Sequence, residues 1–304
     1  MLFSGLLRTV PVSLEQGLAY ALVALGIVIT FRVLAFPDLT VDGSFPLGAA
    51  VTARLITLDV DPLVSILVAV LMGFLAGCCT GLLNTRLRIN SLLSGILMMT
   101  ILYSVNLRIM GRSNIQLLTV DTFLTPLETL DMNRFIPMIV FFVLVSFAFK
   151  FLTDLFLHTE MGLAMRATGD NEQMIRTLGV NTDNMTVLGL GISNAFVALS
   201  GSLVAQDQGF ADVGMGIGMI VIGLASIIIG ESMVGVRTGK KGVMRLTMAA
   251  LVGSVVYKFI IAVGLRMGLA PTDLKMATGV MVILALGIPA LKGGKEGKLH
   301  LRGV

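Results

Sequence analysis

Two aspartates inside an otherwise apolar stretch are the residues of this chain best placed to do chemistry. Asp38 and Asp42 occur in FPDLTVDGSFPLGAAV, residues 36–51. A carboxylate at membrane depth is costly unless it faces water, a cation or a substrate. The prolines and glycines of this stretch favour a broken helix, and broken helices build binding sites in transporters. The alternative is a polar interfacial turn in which Asp42 caps the next helix just before Gly43.

The residue types that usually carry catalysis or bind metals do not form a suitable pattern in this sequence. His158 and His300 have no triad or metal partner at the required spacing. Cys78 and Cys79 are adjacent, so they cannot easily pair with each other, and we interpret them as small packing residues. We therefore expect no catalytic residue, no metal site and no cofactor on this chain.

Two glycine-rich strings resemble nucleotide-binding loops but depart from the required patterns. The GxGxG string at residues 214–218 follows no predicted strand, and no ribose-binding acid comes after it in a βαβ unit. In GVRTGKK, the spacing from Gly235 to Gly239 is one residue short of a Walker A loop, and Lys241 replaces the required Ser or Thr. We expect these glycines to permit tight helix packing, with a break around Gly230.

The elements that position these residues are predicted to be membrane-spanning helices. The 304 residues are 56% hydrophobic and 13% charged, with a mean hydropathy of +0.94, so the chain lacks the charge that covers a soluble domain. Its 34 glycines suit closely packed transmembrane helices. The sequence predicts a single all-α polytopic membrane domain, residues 1–304, with about eight to ten transmembrane helices that include broken or re-entrant segments.

Apolar runs near the length of a membrane crossing recur along the chain. The second is short and contains Arg54, so it could be a half-crossing or a broken helix. The predicted segments are 14–36, 43–58, 62–84, 91–109, 135–157, 185–206, 214–234, 243–265 and 273–291.

The basic residues predict how these segments are oriented. Alternating the segments places the main basic clusters on one side, which the positive-inside rule makes cytoplasmic. These clusters are Arg86 and Arg88; Arg166 and Arg176; Arg237, Lys240, Lys241 and Arg245; and Lys292, Lys295, Lys298 and Arg302. The C-terminal tail, 292–304, is therefore predicted to be cytoplasmic, and nine spans would put the N-terminus outside. Since the bases lie in short loops and in this tail, the net charge of +4 does not predict nucleic-acid binding.

The longest polar interval between apolar segments, residues 158–184, has the composition of a docking element. It mixes acids, bases and glycines in HTEMGLAMRATGDNEQMIRTLGVNTDN. We expect 162–179 to form a short helix or a helix pair, in which Met174 and Ile175 beside a polar run give an amphipathic surface. The alternative is an ordinary loop with solvated charges.

This interval resembles the cytoplasmic loop of ABC importer permeases of the branched-chain amino acid and ribose type. That family has a G-x-x-x-R-A-x-x-x-N/D pattern followed by an L-G-I/V-N element. The matching residues here are Gly162, Arg166, Ala167, Asn171, Leu178, Gly179, Val180 and Asn181. DLTVDGS, Asp38 to Ser44, is similar to the early segment of permeases proposed to handle tryptophan or tyrosine. Gly230, Glu231 and Ser232 depart from the GGTS of sugar permeases, which favours the amino-acid branch.

The resemblance implies a membrane subunit that pairs with itself or a homologue in the bacterial inner membrane. It further implies two cytoplasmic ATPase subunits, which would hold ATP and Mg²⁺, and an extracytoplasmic binding protein. The ATPase-coupling residues would be Glu160, Gly162, Arg166, Ala167, Gly169, Asn171, Glu172, Arg176 and Gly179. The substrate pathway would use Asp38, Asp42, Ser44, Tyr103, Asn106 and Asn194.

Two other transport functions stay open from the sequence. One is an ABC permease for a sugar or nucleoside. The other is an ion-coupled secondary carrier. Intramembrane carboxylates would support this function, and so would inverted halves of the sequence. Such a carrier would not need the docking element at 158–184. A membrane enzyme would need a catalytic set that the chain lacks.

Overall fold

The computed structural model describes residues 2–128, 135–235 and 240–266, together with residues 268, 270, 273, 276, 278–280 and 283. Within these residues nearly all regular structure is helical, which confirms the predicted all-α membrane protein. The ninth predicted segment, 273–291, lies largely outside the described residues, and the basic tail, 292–304, lies wholly outside them.

The described elements follow one another as helices interrupted by two short strands. α1 continues directly into a π-helical turn, and a 3-10 turn precedes α10. The first elements are α1 Leu2–Ile27, the π-helical turn Val28–Val33, α2 Val41–Ile56, α3 Pro62–Thr85, α4 Ser91–Met110, β1 Asn114–Gln116 and α5 Thr125–Glu128. The others are α6 Phe135–His158, α7 Glu160–Asp170, α8 Glu172–Thr177, α9 Thr182–Gln208, β2 Phe210–Asp212, the 3-10 turn Val213–Gly216, α10 Met219–Val234 and α11 Lys240–Arg266.

Seven helices of the described part are long and apolar enough to cross a membrane: α1 with its π-helical end, α3, α4, α6, α9, α10 with its preceding turn, and α11. They coincide with seven of the predicted segments. The short second segment forms α2, whose 16 residues span less than a membrane crossing requires. Because the chain is irregular between residues 34 and 40 before α2 begins, this region is a broken element, in agreement with the half-crossing interpretation.

Local sequence signals explain where the helices begin. Asp61 caps α3 by accepting a hydrogen bond from the backbone N–H of Leu63 at 2.8 Å, and Pro62 occupies the first helical position. Asn90 caps α4 in the same way, accepting from the N–H of Leu92 at 2.9 Å. These short polar residues satisfy N–H groups that have no partner within the helix.

Gly73, Gly77 and Gly81, spaced four residues apart along α3, form a small-residue face that packs against α9. A Cβ added at Gly73 would lie 2.6 Å from the Asn194 carbonyl oxygen, and one at Gly77 would lie 2.1 Å from that of Leu190. One at Gly81 would meet α9 as well. α3 and α9 therefore approach each other to a distance that only glycine allows, as the high glycine content of the chain suggests.

The core of the chain is formed by α1, α2 and α9. In the apolar windows of α1 and α9, 78% of the residues are buried, but in that of α6 only 17% are, so α6 lies at the periphery. α2 runs alongside α9 in the same direction: Thr52 hydrogen-bonds to Ser202 at 2.6 Å, and Gly48 packs on the backbone of Ala198.

The two short strands follow α4 and α9 in the chain. β1 pairs antiparallel with β2, and Asn114 lies opposite Asp212.

The predicted break around Gly230 is wrong, because α10 continues through this residue. Gly230 serves tight packing instead: an added Cβ would lie 1.8 Å from the Ala249 carbonyl oxygen. The break precedes α10, at Gly218.

Candidate functional site

Asp38 lies deep inside the chain, in the irregular segment before α2. Its side chain is fully buried. Oδ1 accepts a hydrogen bond from the backbone N–H of Thr40 at 2.9 Å, and Oδ2 accepts from Nδ2 of Asn194 at 2.8 Å. Since Asn194 lies near the middle of the 27-residue α9, Asp38 lies near mid-depth of the helical bundle.

Asp42 does not cap its own helix. The residue preceding α2 is Thr40, and Asp42 lies within the first turn of α2. Its carboxylate instead accepts hydrogen bonds from the backbone N–H groups of Gly218 and Ile220, each at 2.9 Å. The interfacial-cap alternative is therefore wrong, because Asp42 binds the beginning of α10.

The start of α10 is built to receive this carboxylate. Gly218 has a φ of 88°, a conformation that L-residues with side chains rarely adopt, and it directs its N–H toward Asp42. The first turn of a helix also carries a partial positive charge and unpaired N–H groups. Asp42 therefore joins the broken element α2 to the N-terminus of α10 by two charge-assisted hydrogen bonds.

Three of the other predicted pathway residues, Ser44, Asn106 and Asn194, are fully buried. The amide group of Asn106 donates to the carbonyl oxygen of Gly43 at 3.1 Å, which links α4 to α2. Among the described residues, Oγ of Ser44 and the Oδ1 atoms of Asn106 and Asn194 have no hydrogen-bond partner. Buried polar atoms without partners are rare in folded proteins and call for an explanation.

Tyr103 is the predicted pathway residue that lies apart from the others. Its side chain is 54% exposed on the outer face of α4, whereas Asn106 on the same helix points inward. The structure thus brings Asp38 and Asn194 into contact and connects Asn106 to the beginning of α2. It places Tyr103 on the surface of this single chain. The role of all six residues in a substrate pathway stays a prediction.

An ion pair that the sequence analysis did not identify lies at the other end of α10. Arg32, in the π-helical turn after α1, pairs with Glu231 near the end of α10. A charged residue inside an apolar segment was the available signal, since Arg32 lies within the predicted first span. α10 is thus bound at its first turn by Asp42 and near its last turn by Arg32, and both residues belong to one stretch of chain.

The polar interval 158–184 forms a pair of helices, α7 and α8, that lies beside the start of α9. Thr159 caps α7 by accepting from the N–H of Gly162 at 3.2 Å, and Asn171 caps α8 by accepting from the N–H of Met174 at 3.0 Å. This arrangement agrees with the helix pair expected from the sequence.

Arg176 connects α8 to α9. Its guanidinium donates to the carboxylates of Glu172 and Asp183 and to the hydroxyl of Thr182, each at 2.7 Å. Glu172 and Arg176 are half-exposed, so these bonds hold the α7–α8 pair in place at the surface. The capping residue Asn171 and the terminal Gly179, whose φ is 85°, are exposed.

α7 contacts the membrane-spanning helices through two of its glycines. A Cβ added at Gly162 would lie 2.2 Å from the carbonyl oxygen of Phe156 in α6, and one at Gly169 would lie 2.0 Å from that of Val33. Arg166 and Ala167 are partly buried between these contacts, and Glu160 is exposed at the start of α7. The α7–α8 pair therefore touches both α6 and the π-helical turn that carries Arg32.

Large apolar side chains are exposed on the α7–α8 pair and its connection to α9. Met161, Leu163, Met174 and Leu178 are 49%, 51%, 59% and 67% exposed. The surface of this pair therefore combines exposed charges with an apolar area that the described chain does not cover.

Comparison with known proteins gives matches along most of the chain. The model of the family described as branched-chain amino acid transport system, permease component, matches residues 12–286. A tyrosine transport system permease protein of Clostridioides difficile is 44% identical over 273 residues, which cover 90% of this chain and 88% of that protein. An uncharacterized protein of Rickettsia prowazekii is 36% identical over 276 residues, 90% of this chain and 95% of that protein.

A more distant similarity covers part of the chain. An autoinducer 2 import system permease protein of Yersinia pseudotuberculosis is 30% identical over 166 residues, 55% of this chain and 46% of that protein. No solved structure matches the chain.

Proposed function

The chain belongs to the family of branched-chain amino acid transport system permease components, and we propose on this basis that it is the membrane-spanning subunit of an ATP-driven importer of aromatic amino acids. Tyrosine is the first candidate solute. The observation that carries this proposal is the 44% identity, over 90% of the chain, to a tyrosine transport system permease protein. Permeases of this family are the transport subunits of their systems, and ATP hydrolysis would take place on separate subunits.

The α7–α8 pair is the proposed docking element for the ATPase. Its exposed apolar side chains, among them Met174 and Leu178, suit a groove on a partner, and its charged rim suits specific orientation. The bonds of Arg176 to Glu172 and Asp183 make the pair a rigid extension of α9, so a force applied to it would reach the bundle. In this proposal the α7–α8 pair faces the cytoplasmic ATPase, and the C-terminus lies on the same, cytoplasmic side of the membrane.

The proposed route of force runs from α7 through one stretch of backbone to α10. Gly169 presses against the carbonyl of Val33, which is next to Arg32. Arg32 binds the end of α10 through Glu231, and Asp42, ten residues further on, binds the start of α10. A displacement of the stretch 32–42 would therefore move α10 as a body, a form of the rigid motion that alternating access requires.

The proposed substrate pathway uses Asp38, Asp42, Ser44, Tyr103, Asn106 and Asn194. In the described conformation the inner members of this group are buried, so passage would require α2 or α10 to move. Tyr103, exposed on α4, could take part only where a second permease subunit or another part of the assembly approaches it. Such a dimer, an extracytoplasmic binding protein, and a location in the bacterial inner membrane complete the proposal.

Transport in vesicles tests this function. The permease would be reconstituted with its partner ATPase and binding protein, and uptake of labelled tyrosine would be measured with ATP supplied on the side of the membrane that carries the ATPase. We expect uptake that needs both ATP and the binding protein and that survives dissipation of ion gradients by ionophores. Uptake driven by an ion gradient without ATP would establish a secondary carrier instead. Competition by sugars or nucleosides, but not by aromatic amino acids, would refute the proposed solute.

A further inference from the structure

A buried ion pair lies on α6, a helix at the periphery of the bundle. Lys150 and Asp154 pair one turn apart within α6, and their side chains are only 14% and 8% exposed. In the apolar window of this helix 17% of the residues are buried, so the pair occupies part of the narrow face that meets the bundle. Two charges withdrawn from water at membrane depth are costly even when they are paired. Apolar side chains of similar volume would fill this face at lower cost, so the charges indicate a role beyond packing.

The second oxygen of the Asp154 carboxylate binds α11. Oδ2 pairs with Lys150, while Oδ1 accepts a hydrogen bond from the hydroxyl of Thr247 at 2.6 Å. The Thr247 side chain is fully buried, and its hydroxyl has one proton to donate. The carboxylate is closer and more negative than the carbonyl oxygens of Val243 and Met244, at 3.2 and 3.1 Å, so it receives that proton. Asp154 thus forms a charge-assisted bond from α6 to α11.

Lys150 and Thr247 have different parts in this arrangement. The ion pair lies within α6 and does not depend on α11, since Lys150 and Asp154 are four residues apart on one helix. Among the bonds of the described residues, it is the one from Thr247 that crosses from this pair to the next helix. Two turns earlier on the same face, Ser146 donates to the carbonyl oxygen of Leu18 in α1 at 2.8 Å. α6 is therefore fixed to the bundle at two heights, and the bond to α11 is the one nearer to α7.

The Asp154 bond lies close to the junction of α6 with α7. α6 ends at His158 and α7 begins at Glu160, so a single residue separates the two helices. A Cβ added at Gly162 would lie 2.2 Å from the Phe156 carbonyl oxygen, so the junction is packed too closely to act as a free hinge. A displacement of the α7–α8 pair would consequently shift the end of α6 that carries the carboxylate.

α11 in turn packs directly on α10. A Cβ added at Gly253 would lie 1.8 Å from the Ser226 carbonyl oxygen of α10, and one at Gly230 of α10 would lie 1.8 Å from the Ala249 carbonyl oxygen. Backbones that touch at two positions one turn apart cannot slide past each other without a clash. The contacts of α7 with α6, of α6 with α11 and of α11 with α10 thus form a path from the helix pair to α10. This path is separate from the one through the stretch 32–42.

We propose that Asp154 is a positioning residue for coupling, which makes α11, and α10 with it, follow α6 when the ATPase displaces the α7–α8 pair. Its carboxylate acts through Thr247, and Lys150 supplies the counter-charge that this depth requires. This role rests on the proposed function, because the displacement comes from an ATPase. It adds a second connection to α10, which is then held by α11 as well as by Arg32 and Asp42.

Removal of the Thr247 hydroxyl tests this role in the reconstituted transport complex. Thr247→Val keeps the shape of the side chain and the ion pair within α6, but it removes the bond between the two helices. We expect ATP hydrolysis to continue while solute uptake per ATP falls several-fold. Thr247→Ser retains the hydroxyl and should keep uptake per ATP near that of the wild type, although it loses a methyl group from the packing.

Thr153→Val is the matched control. Thr153 is a buried neighbour of Asp154, and its hydroxyl donates to the carbonyl oxygen of Phe149 in its own helix at 2.8 Å. The same chemical change at this position removes a bond within α6 and none between helices. Uptake per ATP should therefore stay at the wild-type value, whatever the change in Tm.

Two results would overturn the role of Asp154 and leave the importer proposal intact. One is uptake per ATP in Thr247→Val equal to that of the wild type. The other is an equal fall in Thr247→Val and Thr153→Val, which would assign the loss to the packing of this face. ATP-independent uptake by the wild-type complex would instead refute the proposed function, and this role with it.

Discussion

Gly169 of α7 lies directly against the backbone of Val33, at the end of the π-helical turn that follows α1. A Cβ added at Gly169 would lie 2.0 Å from the Val33 carbonyl oxygen and 3.0 Å from the carbonyl carbon of Leu34. Helices that approach this closely through a glycine move together, because neither backbone can yield without losing the contact. This contact connects the α7–α8 pair to the stretch that carries Arg32, Asp38 and Asp42.

Gly169→Ala should therefore disturb both packing and transport. The added methyl would force α7 away from the π-helical turn, at a cost of about 1–3 kcal/mol. We expect a lower Tm in detergent and, in reconstituted vesicles, fewer solute molecules imported per ATP hydrolysed. Gly111→Asn is the control, since Gly111 ends α4 at a φ of 68° with nothing within 4 Å, and Asn tolerates that conformation. If Gly169→Ala matched the wild type in both measurements, this contact would have no part in coupling.

The bond between Asp42 and α10 should be sensitive to loss of charge. Asp42→Asn leaves one acceptor oxygen where two N–H groups now bind, and it turns an amide N–H₂ toward a helix N-terminus. We expect a loss of stability of about 1–3 kcal/mol, measured as a fall in Tm.

Asp61→Asn provides the comparison for Asp42→Asn, because it makes the same chemical change at an N-cap. Asp61 is exposed at the start of α3, where Asn caps equally well, so Tm should hardly change. Similar losses for the two variants would mean that the half-buried position of Asp42 adds nothing to its contribution.

The sequence predicts which segments are unusual better than it predicts what they touch. Acids in the apolar run around Asp38 and a polar interval at 158–184 are local signals, because charge is costly at membrane depth. Their partners are not local: Asp42 binds α10 and Asp38 binds α9, far along the chain. Those contacts depend on how three helices pack, and no pattern within 36–51 encodes it.

The glycines before and within α10 show the same limit. Residues 214–230 contain several glycines, and composition does not distinguish one that permits close packing from one that permits a positive φ. In the structure Gly230 packs against Ala249, and Gly218 takes the left-handed conformation that precedes α10. The expected break around Gly230 is therefore wrong, and the chain departs from helical geometry at Gly218 instead.

The ion pair between Arg32 and Glu231 should contribute to transport more than to stability. The side chains are 37% and 20% exposed, so their mutual attraction is partly screened and a double-mutant cycle should give about 1 kcal/mol. Arg32→Gln and Glu231→Gln should each reduce uptake, because either one releases the end of α10 from the stretch driven by α7.

Exchange of the two charges separates this pairing from other roles of the residues. Arg32→Glu combined with Glu231→Arg restores an ion pair of reversed direction, so uptake should recover relative to either single reversal. A double variant no better than its single members would show that the residues act independently.

Glu172 should matter for coupling because it holds α8 to α9. Its Oε1 accepts from Arg176 at 2.7 Å and from the Thr182 hydroxyl at 3.1 Å. Glu172→Arg would place two guanidinium groups together and break both bonds, so the α7–α8 pair would no longer move rigidly with α9. We expect ATP hydrolysis by the reconstituted complex to continue while solute uptake falls about tenfold or more.

Asp121→Arg, an exposed charge reversal in the connection between β1 and α5, should leave both rates unchanged. Uptake per ATP equal to the wild type in Glu172→Arg, and again in Arg166→Glu, would remove the charges of this helix pair from the mechanism and leave its apolar surface and glycine contacts to transmit the force.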